Sequence, residues 1–187
     1  MSFDDHQMGW KLKPIYIAAN DFNGILGDFA SQGVGGQIAE ISNFGLAGLE
    51  VNAADTLCHF MRIPWDLDVT KEVHMRLHWL SDSTDLDTVD WDVPYKFFAS
   101  GAALTAPTGD GTCAFDQATM TATAYLIRVT EWQPMLWTTY YAAGDLFMGF
   151  TVTCTAWAGT ADEAFLLGME LCYTVSALGA EREVTSV

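Results

Sequence analysis

Basic residues are scarce in this chain. Eight Lys and Arg stand against 24 Asp and Glu, for a net charge of −16 at neutral pH. A field of that sign repels phosphate backbones and anionic headgroups, which argues against nucleic acid or a membrane surface as a partner over any broad area. Cysteine is sparse as well. Cys58, Cys113, Cys154 and Cys172 form no Cys-x-x-Cys pair and no Cys/His cluster, which excludes a zinc knuckle. Cys154 and Cys172 fall in strand-like runs, where a free cysteine acts as a small buried hydrophobe, and reduced thiols made in a cytoplasm are expected. No run of about 18 apolar residues occurs, because Asp145 interrupts the longest candidate, so no membrane-spanning helix is expected. Asp4 and Asp5 stand where a signal peptide is basic, and the chain reads as soluble and not exported by a cleaved signal. Gly-x-Ser-x-Gly is missing, so there is no nucleophile elbow. Gly33-Val34-Gly35-Gly36 has no Lys-Ser/Thr after it and is no phosphate loop.

What remains is apolar and aromatic. Half of the 187 residues are hydrophobic, with seven Trp, eleven Phe and six Tyr. That is enough for one sizeable core, and the acidity reads as the charge that keeps an apolar-rich protein apart from its copies.

Periodicity then assigns the class. Val73, Met75, Leu77 and Trp79 alternate with Glu72, His74, Arg76 and His78, and a period of two places the sets on opposite faces of a strand. Strands are also expected over Lys13–Ala19, Gln37–Ser42, Leu46–Asn52, Asp55–Ile63, Trp91–Ser100, Thr119–Trp132, Leu146–Trp157 and Phe165–Val175. Pro94 places the Trp91–Ser100 strand at an edge or a bulge. Glu131–Ala143 fits neither helix nor strand cleanly. Residues 20–36, 81–90 and 101–111 read as loops, the last on the turn signal Ala-Pro-Thr-Gly-Asp-Gly. No amphipathic helix and no internal repeat is visible. The expected fold is an all-β antiparallel β-sandwich of jelly-roll type, with about eight strands and long end loops. It occupies residues 13–178, between an N-terminal arm (1–12) and a C-terminal tail (179–187).

Each chemical constellation has a plainer reading beside it. Glu72, His74 and His78 share a face and could approach a metal, as a His-x-His pair with a Glu does in cupin-type jelly rolls. Here the spacing is His-x-x-x-His, and Arg76 between the imidazoles would oppose a cation. A solvated or subunit-facing stripe is the expectation. Asp66, Asp68, Asp82, Asp85, Asp87, Asp90 and Asp92 offer oxygen ligands for calcium, but without an EF-hand register they read as acidic turn residues. Cys58 and His59 are neighbours in a strand and point apart, which defeats a nucleophile–base pair. Glu131 and Glu170 are a carboxylate pair only if the fold joins them. Trp65, Trp79, Trp91, Trp132, Trp137 and Trp157 could stack sugars, and read more simply as core or subunit contacts. No catalytic residue, metal ligand or cofactor is assigned.

Three segments carry a resemblance: Ile63-Pro64-Trp65-Asp66-Leu67-Asp68, Val73-His74-Met75-Arg76-Leu77-His78-Trp79, and Asp90-Trp91-Asp92-Val93-Pro94-Tyr95. Together they resemble an arrangement in jelly-roll structural proteins of tailed bacteriophages, both head decoration (cement) and tail-associated proteins, over roughly residues 60–175. The resemblance implies a non-enzymatic virion protein on the outer surface of the particle, assembled as a homotrimer against the major capsid protein or other virion subunits. It carries over no catalytic residue. A tail or baseplate protein binding host glycans is the alternative within that class, and a cupin-like metal enzyme the alternative outside it.

Overall fold

The computed structural model describes residues 12–18, 23–24, 37–41, 46–51, 56–81, 88–103, 109–116, 125–158 and 164–176. Among them the structure is almost wholly β. The strands are β1 (Leu12–Ala18), β2 (Asn23–Gly24), β3 (Gln37–Ile41), β4 (Leu46–Val51), β5 (Thr56–Arg62), β6 (Val73–Ser81), β7 (Thr88–Ala99), β8 (Gly111–Asp116), β9 (Arg128–Val129), β10 (Gln133–Met135), β11 (Asp145–Ala158) and β12 (Ala164–Thr174). A single helical turn, α1 (Trp137–Tyr140), precedes β11.

Two antiparallel sheets result. The first runs β10-β6-β12-β4-β3, with β9 also on β6 and β1 also on β12; the second runs β2-β5-β11-β7-β8. Among the described strands from β4 onward, the chain crosses between sheets at every connection except β7–β8 and β9–β10, and of these β7 and β8 pair with each other. The expected all-β sandwich is therefore what the chain forms.

Alternation does what its period requires. On β6, Val73, Met75, Leu77 and Trp79 are buried and His74, Arg76 and His78 half-buried. On β7, Val89, Trp91, Val93, Tyr95 and Phe97 point inward. Trp79 and Trp91 meet between the sheets with ring centroids 6.1 Å apart. Each fully buried large apolar side chain stabilises by roughly 1.5–3 kcal/mol. A second aromatic group plugs one end: Trp137 of α1 packs edge-on to Phe97 at 4.7 Å and stacks on Tyr141 at 5.2 Å. The Leu136 N–H donates to the buried Tyr95 hydroxyl at 2.7 Å, which fixes α1 to β7. One turn of helix suffices because its role is to seat one indole.

Two expectations need correcting. Within the expected Thr119–Trp132 strand, residues 119–124 lie outside the described residues, and 125–132 hold only the two-residue β9. Tyr125 takes a left-handed backbone (φ 59°) and breaks the extended run. Thr130 then folds onto β6: its hydroxyl accepts the Leu77 N–H at 2.9 Å and its own N–H donates to the Leu77 carbonyl at 3.0 Å. Pro94 marks no edge, since β7 lies between β11 and β8. Pairing with β8 passes through Pro94↔Thr112, whereas pairing with β11 passes from Tyr95↔Phe150 to Asp92↔Thr153. The register shifts in β11 lie elsewhere, between Asp145 and Phe147 and between Cys154 and Ala156. An interior strand thus accommodates the missing N–H in a local gap in the ladder.

Candidate functional site

Two places on the molecule hold side chains in arrangements that packing alone does not demand. The first is the loop between β5 and β6. Arg62 pairs with Phe147, Asp145 with Ala99, and Met135 with Val73, so this loop, the end of β7, α1 and the start of β11 share one end of the sandwich. Asp66 anchors the loop. Its carboxylate accepts from the Tyr173 hydroxyl at 2.9 Å and from the Lys13 ammonium at 3.0 Å, and its carbonyl accepts from the Ser176 N–H at 2.8 Å. Burial pushes the Asp66 carboxyl up, but the hydrogen bonds from Lys13 and Tyr173 and the charge of Lys13 outweigh it and hold the group below its ordinary value. Asp68 closes the next turn by accepting from the Thr70 N–H and hydroxyl at 3.0 and 2.7 Å. On this braced loop Trp65 is 79% exposed. Leu136 and Tyr140, at the same end, are also exposed.

The second place is the outer face of the first sheet. The register sets Tyr16 of β1 beside Glu170 of β12, and Glu170 beside Arg76 of β6. One oxygen of Glu170, Oε2, accepts from Arg76 Nε at 2.7 Å and Nη2 at 2.6 Å, and lies 3.1 Å from His78 Nε2. The Arg76 guanidinium lies 4.3 Å over the Trp132 ring, and Tyr16 meets His78 edge-on at 5.5 Å. The Tyr16 phenol is pushed up by burial and then by the charge of Glu170, so it remains a hydrogen-bond donor; it donates to the Leu167 carbonyl at 2.9 Å.

The other candidates are distributed as follows. Glu72 is exposed ahead of β6, and His74, Arg76 and His78 do share a face, but Arg76 and Glu170 occupy its centre. No group of three metal-ligating side chains occurs among the described residues. Asp90 and Asp92 lie within β7 and not in a loop, while Asp82, Asp85 and Asp87 lie outside the described residues, as do Gly33–Gly36 and most of the arm and tail. Cys58 contacts Thr151 at 3.6 Å, on the face away from His59, and none of the four cysteines forms a disulfide. Glu131 is exposed, and no hydrogen bond or ion pair joins it to Glu170 among the described residues. Trp79, Trp91 and Trp137 are fully buried, Trp132 half-buried and Trp65 exposed; the Trp157 side chain lies outside the described set. Sequence reasoning missed Lys13, Tyr16 and Tyr173. Their partners lie 53 to 154 positions away, and no local pattern encodes such pairings.

No known family model and no curated protein matches the chain. Similar solved structures include the insecticidal delta-endotoxin Cry8Ea1 from Bacillus thuringiensis, at 12% identity and a TM-score of 0.46, over 88% of this chain and 24% of that one. Dimeric latent PorU from Porphyromonas gingivalis is similar at 9% identity and a TM-score of 0.46, over 90% of this chain and 13% of that one. The chain thus spans about a quarter or less of each of these proteins.

Proposed function

We propose that this chain is a non-enzymatic structural protein of a tailed-bacteriophage virion: a decoration or cement subunit of jelly-roll type that sits on the outer capsid surface as a homotrimer and grips the major capsid protein. The observation that carries the reading is Trp65, an indole held in solvent by a loop whose backbone and carboxylates are tied down. Exposing that much apolar surface on an ordered loop is unfavourable unless a partner covers it, and tryptophans dominate the energetics of protein interfaces. Because the loop is already ordered, docking sacrifices little conformational entropy.

Charge distribution supports the same end. The loop's three acidic residues, Asp66, Asp68 and Glu72, meet three basic ones, Lys71 of the loop, Arg62 at the end of β5 and Lys13 of β1, in a chain whose net charge is −16. Copies that repel elsewhere can approach through this end, and the acidic remainder suits a surface facing away from packaged DNA. The strand order supports the jelly-roll assignment: β4, β12, β6 and β10 are neighbours in one sheet and β5, β11, β7 and β8 in the other, the pairing of two interlocked Greek keys.

The test is a Trp65→Ser variant assayed for native mass and for retention on expanded empty phage heads. Wild type is expected as three chains and retained; the variant, melting within about 2 °C of wild type, is expected to lose both, as surface substitutions leave stability almost unchanged. A monomeric wild type that ignores heads, or a variant that behaves as wild type, overturns the reading.

A further inference from the structure

We propose that the outer face of the first sheet is a binding site for a neutral oligosaccharide, with a sugar ring stacked on Tyr16 and its hydroxyls hydrogen-bonded by Glu170 and Arg76. The starting observation is how Tyr16 lies. A Cβ built on Gly168 would stand 2.5 Å from the Tyr16 hydroxyl oxygen, 2.6 Å from Cζ and 2.7 Å from the Ile17 carbonyl oxygen. The phenol ring therefore lies down across β12 at the one position there without a side chain, fastened by its bond to the Leu167 carbonyl. A tyrosine resting on the sheet in this way stays 55% exposed. It forms a platform whose orientation is set before any ligand arrives.

The platform continues into a polar row. Every contact that Glu170 makes among the described residues goes to Oε2. Its second oxygen, Oε1, makes none of these contacts, on a side chain that is 15% exposed. Arg76 is held by its bonds to Glu170 and by the Trp132 ring that its guanidinium lies over, which preorganises its remaining N–H donors. Tyr16, Glu170 and Arg76 are register neighbours on adjacent strands, spaced by about 4.8 Å, and the Trp132 ring lies against Arg76.

The chemistry of the occupant follows. A pyranose offers an apolar C–H face with hydroxyls at its rim, and a ring beside a carboxylate–guanidinium pair meets both parts. An apolar protein side chain would desolvate Glu170 and Arg76 without replacing their water, at a cost. An anionic ligand would be repelled by a chain of net charge −16, whereas the opposed charges of Glu170 and Arg76 make the row locally balanced. A neutral saccharide is the class that fits. This site lies on a sheet face, whereas Trp65 sits on an end loop, so the outcome here is independent of the capsid-binding reading.

The test is native affinity electrophoresis of the full chain through gels cast with hydroxyethylcellulose, laminarin, dextran, galactomannan or xylan. Wild type is expected to be retarded by at least one of them. Tyr16→Ala is expected to bind about tenfold more weakly, and Tyr16→Phe, which keeps the ring but loses its bond to the Leu167 carbonyl, to fall between that variant and wild type. Glu170→Gln, which keeps the shape of the side chain, is expected to weaken retention as well, and it decides the matter should Tyr16→Ala not fold. Passage of wild type unretarded through all five gels overturns the proposal. So does equal retardation of wild type and Glu170→Gln.

Discussion

Trp79 is fully buried where the two sheets meet, against Trp91. Trp79→Ala is expected to cost about 3–5 kcal/mol, from lost transfer energy and an unfilled cavity, and to leave little folded protein in a thermal melt. Asp66 is a different kind of residue, since its stabilisation depends on pH. Its folded pKa lies below the ordinary carboxylate value. Its contribution is therefore complete above about pH 4 and is lost as pH falls through the folded value. Lys13 is shifted upward, first by its hydrogen bond to Asp66. Its contribution is present below the ordinary lysine value and disappears as pH rises through the folded one, and as a largely exposed group it counts for less. The melting temperature should be level between these limits and drop on the acid side. In Asp66→Asn the acid drop should shrink and the plateau should fall; an unchanged acid arm would mean that other carboxylates govern it. Cysteine chemistry follows burial too. The Cys113 thiol is pushed up to about 12 by burial, so in timed reaction with a disulfide reagent at neutral pH it should modify more slowly than the half-buried Cys58.

At the scale of the elements, the long strands were legible because each shows its period at every step. β1, β3, β4, β5, β11 and β12 were located to within one residue at each end, and β6 and β7 to within a few. What the sequence hid was the point at which alternation stops meaning extension. Residues 121–129 alternate well, yet Tyr125 turns the chain and Thr130 supplies the ladder bonds at Leu77. A threonine can serve as strand filler or as backbone surrogate, and only the partner strand decides which. The candidate sites were less legible still. Trp65, His78, Arg76 and Glu170 each stood out, but Tyr16 and Lys13 reach their partners only through the closing pair β1–β12. One element junction gives a sharp test. A Cβ at Gly111 would collide with the Tyr95 phenol, which is buried and bonded to Leu136. Gly111→Ala is expected to cost about 1–3 kcal/mol, like other overpacked positions, and to loosen α1. Near-UV circular dichroism should show the loss of the Trp137 environment before the global melt, and a wild-type spectrum with a wild-type melt would mean that Tyr95 moves freely.

On the scale of the whole molecule, charge and apolar contact pull in opposite directions. Sixteen net negative charges repel other copies over the whole surface, while the Trp65 end presents apolar surface on a loop whose acidic residues are balanced by Lys71, Arg62 and Lys13. Repulsion between separated surface charges is screened over about 10 Å at 0.1 M salt and about 3 Å at 1 M, whereas burial of an indole is not weakened by salt. The proposed association should therefore strengthen with ionic strength. Sedimentation velocity from 20 mM to 1 M sodium chloride is expected to show the assembled fraction rising in wild type and staying flat in Trp65→Ser. An interface built from ion pairs between Lys13, Arg62 or Lys71 and a neighbour's carboxylates would show the reverse trend, dissociating as salt increases. The sign of that slope separates an apolar anchor, with charge acting only as a spacer, from a contact made by charge.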